Sequence, residues 1–365
     1  VDDKTCIKCG RCLAVCPVYK ATGQERLSPR GKNSLIRLFQ DHLWPASSLF
    51  RETLSACILC GQCTERCVLN INTSERIHKL REFFWPQQKR HFYRSWLAEQ
   101  LLASFHQELG IWLRLLVLLN QIKPLPISPA SKPFLSQITS SSSSPSQIAI
   151  FVGCGVNFLY PSLGQKLLHI LVNLNYQVVI PLQQTCCGLM AYTLGDTQTA
   201  IKLARKNIIA FSHFNPEIII TPCASCYHHL KSFSLYQEAG ISEKVIELSQ
   251  FLLNKNIPLI SFSQKITWHD PCHLRFYHQI WKEPRLLLNR VGQFTESSPQ
   301  GQCCGHGGSF ALNFPALSEE IFTKRKKAIE ESKAELIFTS CMGCLIQLQL
   351  YLGKERVRHI LDIFA

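Results

Sequence analysis

Short apolar runs bounded by polar residues recur through the second half of the chain and are separated by stretches of helical character. Gln147-Ile-Ala-Ile-Phe-Val152 reads as a buried strand, Gln177-Val-Val-Ile180 and Glu217-Ile-Ile-Ile220 follow it, and helices are expected after Pro161 and over residues 197–212. Lys265-Ile-Thr-Trp268 and Glu335-Leu-Ile-Phe338 then repeat the order. Strands alternating with helices predict parallel α/β units. In such sheets ligands lie outside the carboxyl ends of the strands.

The first half is patterned differently. Residues 33–41 read as a helix, and residues 97–119 form the most apolar stretch of the chain, interrupted by Glu99, Glu108 and Arg114. A charge at the centre of a membrane-spanning helix costs about 2.5–3.5 kcal/mol. The stretch is therefore expected to be an amphipathic helix packed against the body, a partner or a bilayer surface, and not a span. Pro124, Pro126, Pro129 and Pro133, then Ser140 to Ser144 and Pro145, break any regular element and read as a linker. The expected organisation is a helical N-terminal module with its extension (1–122), a linker (123–146) and two α/β halves related by duplication (147–262 and 263–365).

The cysteines sharpen this picture. Two runs near the N-terminus, Cys6, Cys9, Cys12, Cys16-Pro17 and Cys57, Cys60, Cys63, Cys67, have the spacing of the bacterial ferredoxin site. Three thiolates of each run hold one cluster there, and the fourth reaches across to the other. On that template Cys6, Cys9, Cys12 and Cys67 hold one [4Fe-4S] cluster, and Cys57, Cys60, Cys63 and Cys16 hold a second. Zinc knuckles are the competing reading, but zinc sites usually stop at Cys-x-x-Cys pairs. Val68 stands where a proline would complete the second run.

The remaining ten cysteines form one pattern written twice: Cys154, Cys186-Cys187-Gly188, Cys223-x-x-Cys226, then Cys272, Cys303-Cys304-Gly305, Cys341-x-x-Cys344, with corresponding positions 117 or 118 residues apart. Each set follows the predicted strands, at the ligand edge of its sheet. A cubane cluster needs four thiolates and each set offers five. Adjacent cysteines can bond neighbouring irons of one cluster, and the following glycine permits close backbone approach. One cubane per set with a spare thiol, a redox disulfide between Cys223 and Cys226, and zinc sites remain open on the residues alone. His269, His273 and His306 stand beside these cysteines as hydrogen-bond partners of backbone or sulfur, or as proton carriers.

Composition adds two constraints. With 365 residues and 46% hydrophobic positions the chain has no need of disulfide staples, and no signal-peptide pattern opens the sequence, so eighteen thiols are expected in a reducing compartment. The net charge is +14, from 39 Lys and Arg against 25 Asp and Glu, which suits an acidic partner subunit, an anionic membrane surface or nucleic acid. Arg76, Lys79, Arg81, Lys89, Arg90 and Arg94, interleaved with Phe83, Phe84, Trp85, Phe92 and Tyr93, read as a solvated basic face beside a packed aromatic strip. Neither G-x-G-x-x-G nor a P-loop occurs, so a flavin- or nicotinamide-handling step belongs to another chain.

Taken together, the two ferredoxin runs, the Ser28-Pro29-Arg30-Gly31 segment, the linker, His269-Asp-Pro-Cys-His-Leu274 and Cys303-Cys304-Gly305 resemble the Cys-Cys-Gly domain iron–sulfur proteins. These comprise the iron–sulfur subunit of glycolate oxidase, the C subunit of anaerobic glycerol-3-phosphate dehydrogenase and the D subunit of heterodisulfide reductase. The resemblance covers nearly the whole chain. It implies an α+β multi-domain protein, a helical two-cluster ferredoxin module followed by two duplicated α/β domains with short parallel sheets. It also implies an electron-transfer subunit that takes electrons from an FAD-containing dehydrogenase subunit and passes them to a downstream quinone or heme acceptor, in the cytoplasm or on the inner face of the cell membrane. Nucleic acid is not the expected partner. In heterodisulfide reductases the five-cysteine sets hold noncubane [4Fe-4S] clusters that reduce a disulfide. The resemblance thus assigns Cys154, Cys186, Cys187, Cys223 and Cys226 to a third cluster and Cys272, Cys303, Cys304, Cys341 and Cys344 to a fourth.

Overall fold

A computed structural model describes residues 5–87, 130–138 and 148–365. The apolar stretch 97–119, the basic and aromatic residues beyond 87 and the serine tract 140–144 lie outside the described residues.

The N-terminal module is built from short helices: α1 (Pro17–Thr22), α2 (Pro29–Gln40), α3 (Ser48–Ser55), α4 (Gln62–Glu65) and α5 (Thr73–Phe84). Local chemistry sets their starts. Cys16 and Ser28 are N-caps followed by proline at the first helical position, and the Ser28 hydroxyl accepts from the Gly31 amide at 2.9 Å. Asn72 caps α5 in the same way through the Glu75 amide. The core joins Ile36, Phe50, Leu54, Leu59, Ile77, Leu80 and Phe84. Helix α2 buries Pro29, Lys32, Asn33 and Ile36, a single face at helical spacing, so two polar side chains occupy positions that periodicity assigns to the core.

Each later half is a four-stranded, wholly parallel sheet. The first has order β2-β1-β3-β4, with β1 Ile148–Ile150, β2 Val178–Val179, β3 Ile218–Ile220 and β4 Val245–Ile246. The second has order β6-β5-β7-β8, with β5 Lys265–Trp268, β6 Gln293–Phe294, β7 Leu336–Thr339 and β8 Val357–His359. The identical order confirms the duplication. Strands β4, β6 and β8 go beyond the sequence pattern; they have two or three residues each, too few for an apolar run to be read. In both sheets the chain leaves the central pair, β1/β3 or β5/β7, in opposite directions. In such sheets ligands bind at that switch point, outside the carboxyl ends of the strands.

Two expectations change. Residues 130–138, inside the predicted linker, dock on the first half: Phe134 is fully buried against Gly164, and the Leu135 amide donates to Asn157 Oδ1 at 2.9 Å. The aromatic ring supplies apolar burial that the surrounding prolines conceal. Secondly, Arg76 and Arg81 are buried and not on a solvated face, whereas Lys79 is exposed and paired with Glu75.

Candidate metal centres

The two ferredoxin runs fold alike. Lys8 and Leu59 both have φ of 59°, and Gly10 and Gly61 have 82° and 79°. This left-handed winding turns successive backbone amides and side chains inward, the geometry of an anion-binding nest, and costs strain at the two non-glycine positions. One cavity is lined by Cys6, Cys9, Cys12 and Cys67, together with Cys63. A second is lined by Cys16, Cys57, Cys60 and Cys63. The fourth cysteine of each run therefore sits with the first three of the other. Burial, and then neighbouring thiolates, push Cys12 up to about 11 and Cys63 up to about 12. Cys9 is exposed, whereas Cys60 is buried.

In the α/β halves the cysteines follow the strands. Cys154 and Cys272 come after the first strand of each sheet, Cys186-Cys187 and Cys303-Cys304 after or beyond the second, and Cys223 and Cys341 after the third. Cys223 and Cys341 each precede a helix, Ala224–Ser232 or Met342–Leu352, whose first turn carries Cys226 or Cys344. Gly188 and Gly305 have φ of 100° and 83°; a Cβ on Gly305 would lie 2.5 Å from the Ser318 carbonyl oxygen. The turn that presents two adjacent thiols is open to glycine alone.

The ten thiols form one unbroken succession. Cys154 neighbours Cys186, Cys186 neighbours Cys187, and Cys187 neighbours Cys226, which neighbours Cys223. Cys223 then neighbours Cys341 of the other half, and the series continues through Cys344, Cys304 and Cys303 to Cys272. Cys304 and Cys344 are 3.5 Å apart. Within the series some thiols are held low by donors: Cys187 at about 6 by Cys186 and Cys226 in the first set, and in the second Cys304 by Cys303 and Cys344 and Cys341 by Cys223 and Cys344. Interaction with neighbouring thiols, and then burial, push Cys344 and Cys226 up. So many soft donors ionise together only around a cation, and iron and sulfide suit them.

The halves are bridged by backbone and side chain. The Ala224 amide donates to the Ser340 carbonyl at 2.8 Å, and a ring nitrogen of His359 lies 2.9 Å from the Pro222 carbonyl. Ser225 Oγ lies 3.1 Å from Cys341 Sγ and 3.0 Å from His273 Nδ1. The N-terminal module abuts the second half: Cys16, Cys60 and Cys303 share one buried cluster with Cys272 beside it, and Tyr277 Oη donates to the Leu59 carbonyl at 2.8 Å. It is also tied to the first half, where Arg81 donates to the Thr193 carbonyl at 2.7 Å.

Several groups had no clear signal in the sequence. Lys32 is 2% exposed and donates to the Leu27 and Ala56 carbonyls, and its charge acts to lower Cys16, against the larger effect of burial. Arg81 donates to three carbonyls around the start of the second run and to that of Thr193. Arg325 is buried on the helix Pro315–Glu331. Of the histidines singled out, His269 has a ring nitrogen within 4.8 Å of Cys304 Sγ, His273 meets Ser225, and His306 lies against Gln347 at 3.4 Å. Among the described residues no helix is long and apolar enough to cross a membrane.

Comparison with known proteins agrees with this arrangement. Residues 3–71 match the 4Fe-4S dicluster domain, and residues 148–231 and 266–349 each match the cysteine-rich domain. The chain is 26% identical, over 98% of its length and 92% of the relative's, to a probable glycolate oxidase iron–sulfur subunit of Bacillus subtilis. It is 32% identical to lactate utilization protein A 2 of Bacillus cereus, over 60% of this chain and 98% of that protein. It is 27% identical to a subunit of the fumarate reductase (CoM/CoB) of Methanothermobacter marburgensis, over 98% of this chain and 71% of that one. A crystal structure of a hypothetical protein from Helicobacter pylori shares the fold with a TM-score of 0.54, at 11% identity, over 93% of this chain and 67% of that one.

Proposed function

The chain belongs to the family of Cys-Cys-Gly domain iron–sulfur proteins, and from that premise we propose that it is the iron–sulfur subunit of a flavin-dependent 2-hydroxyacid dehydrogenase of the glycolate-oxidising kind. Its role at the coarser level is electron transfer with [4Fe-4S] clusters, within an oxidoreductase system. When bound, such clusters take up and release single electrons. The chain's own part is to set out the sites in a line and to exclude water from them.

The observation that carries the proposal is the continuous run of thiols from exposed Cys9 to buried Cys187. Cys6, Cys9, Cys12 and Cys67 form a first site open to a partner; Cys16, Cys57, Cys60 and Cys63 form a second. Cys60 faces Cys272, which opens the third in space, with Cys303, Cys304, Cys341 and Cys344. Cys154, Cys186, Cys187, Cys223 and Cys226 complete a fourth. The absence of a nucleotide-binding fingerprint supports substrate oxidation on a separate FAD-containing subunit. The +14 charge and the apolar stretch 97–119 support docking on an acidic partner or on the inner face of the membrane, where a quinone or heme acceptor lies.

One observation favours a second reading, reduction of a disulfide at noncubane clusters. All ten cysteines of the double pattern are present, and Cys223 against Cys341 brings both five-thiol sets to one interface. A disulfide there takes two electrons, supplied through the N-terminal sites by an external donor, and two protons, to give two thiols.

The test is anaerobic purification with iron and sulfide counting, followed by addition of glycolate or lactate with and without the flavoprotein partner. Reduction that needs both hydroxyacid and flavoprotein is the expected result. Turnover of a disulfide by the isolated, chemically reduced chain selects the second reading. A colourless zinc-loaded protein overturns both.

A further inference from the structure

The two α/β halves share one strand order, so differences at equivalent strand positions stand out. The His269 amide donates to the Phe338 carbonyl and the Phe151 amide to the Ile220 carbonyl, both at 2.8 Å. His269 thus occupies in the second sheet the place of Phe151 in the first. Arg325 and Asn207 also correspond. Each lies on the helix before the third strand, eleven residues ahead of Leu336 or Ile218.

Asn207 is a neutral bracket. It accepts from the Thr185 amide and donates to the Cys186 carbonyl and to Tyr236 Oη. Arg325 is a buried cation, 2% exposed. Its Nη2 donates to Ser297 Oγ at 2.7 Å and to the Trp268 carbonyl at 3.3 Å, and its Nε donates to His269 Nδ1 at 3.0 Å. No carboxylate contacts it among the described residues. Asp270, which follows His269 in the chain, is held by Arg285 at 2.8 and 2.9 Å and by the Trp268 indole, while Arg275 stands 3.6 Å away and Glu296 is paired with Arg285. Three arginines thus face two carboxylates, which leaves one positive charge over. An unpaired buried charge is costly, and the anion available to balance it is the thiolate set containing Cys304 and Cys344.

The pair Arg325 and His269 adjoins that set. Arg325 donates to Nδ1 of His269, which leaves Nε2 to carry the ring proton. A ring nitrogen of His269, Cys304 Sγ and Cys344 Sγ lie within 4.8 Å of one another. A nearby cation and a hydrogen bond to a ligand sulfur both stabilise added negative charge, and both raise the reduction potential of an iron–sulfur site. The first half has Phe151 and Asn207 at these two places.

We infer that Arg325, acting partly through His269, makes the second five-thiol site the more easily reduced of the pair. The inference rests on the proposed clusters in both halves. Arg325 and His269 are positioning residues, and the second site, next to the N-terminal module, becomes the electron store of the α/β region.

The test is an anaerobic redox titration of the complete cluster-loaded chain followed by electron paramagnetic resonance, with Cys187→Ser and Cys304→Ser used to assign the signals. In the unmodified protein the second-site signal is expected at the higher potential. Arg325→Gln is expected to shift that site's reduction equilibrium at least tenfold toward the oxidised form, about 59 mV for a one-electron couple, without moving the first site. Arg325→Lys, which keeps the charge, restores most of the shift, and His269→Phe gives a smaller shift of the same sign. First-site reduction ahead of the second in the unmodified protein overturns the inference, whether or not Arg325→Gln retains its cluster. An unmoved potential in Arg325→Gln with full iron content also overturns it. An iron and sulfide count accounting for the N-terminal sites alone removes the cluster assignment itself, an outcome distinct from either.

Discussion

Arg81→Met is the sharpest test of how the N-terminal module is held. The guanidinium donates to the carbonyls of Leu54 (2.8 and 3.1 Å), Ser55 (3.0 Å), Cys57 (2.6 Å) and Thr193 (2.7 Å). Three of these precede or open the second ferredoxin run, and the fourth belongs to the first α/β half. A buried carbonyl stripped of its donor costs about 1–3 kcal/mol, and methionine donates to none. The desolvation cost of the lost cation, several kcal/mol in a real protein interior, offsets part of this. The net loss is expected to be about 3–5 kcal/mol, the range for breaking a buried charged network from one side. Arg81→Lys, with one amine for four carbonyls, should recover about half. The assay is anaerobic urea unfolding followed by circular dichroism at matched iron content. A loss of this size lowers the midpoint by more than about 1 M urea for a slope of about 2–3 kcal/mol/M. A midpoint unchanged within about 0.2 M refutes the claim that Arg81 anchors the run.

Other outcomes are equally specific. Cys304→Ser should change the second five-thiol site's spectroscopic signature while both N-terminal signals stay intact, and Cys187→Ser should do the same for the first; loss of every signal in either variant contradicts separate sites. Gly61→Ala places a Cβ 2.7 Å from the Tyr277 ring at a φ of 79°; a cost of about 1–3 kcal/mol and lower iron occupancy of the second ferredoxin run are expected from urea titration and iron counting, and wild-type values for both would discount the contact. Burial holds His78, stacked on Tyr192, down to about 4. Between about pH 6.5 and 4 the unfolded chain takes up the proton and the folded chain does not. Its contribution is therefore complete above about pH 6.5 and falls toward pH 4; the urea midpoint should drop between about pH 7 and 5.5 by less in His78→Phe than in the unmodified protein, and equal drops would discount this residue.

The parts legible in the sequence are those with a period or a fixed spacing. Cysteine spacing exposed both ferredoxin runs and the duplication, and apolar runs exposed β1, β3, β5 and β7, because these strands are buried and rich in isoleucine, leucine and phenylalanine. Edge strands such as Gln293-Phe294 carry too little apolar pattern to register. The buried cations escaped for the opposite reason. Lys32 sits in Arg30-Gly31-Lys32 and Arg325 in Lys324-Arg325-Lys326, which look like surface; their burial follows from carbonyls and thiols brought close only by the tertiary fold. Part of the +14 charge is in this sense internal, countering buried sulfur and not recruiting a partner. Phe134 was hidden by its neighbours Pro129 and Pro133.

The contact between Cys223 and Cys341 also bears on biosynthesis. Cys223 emerges from the ribosome well before Cys341, and the Ala224 amide and Pro222 carbonyl beside it find their partners in Ser340 and His359 only when the second half has folded. The first half's thiol set therefore stays uncovered on that flank until the second half is in place. Neither α/β half completes its cysteine-bearing edge without the other.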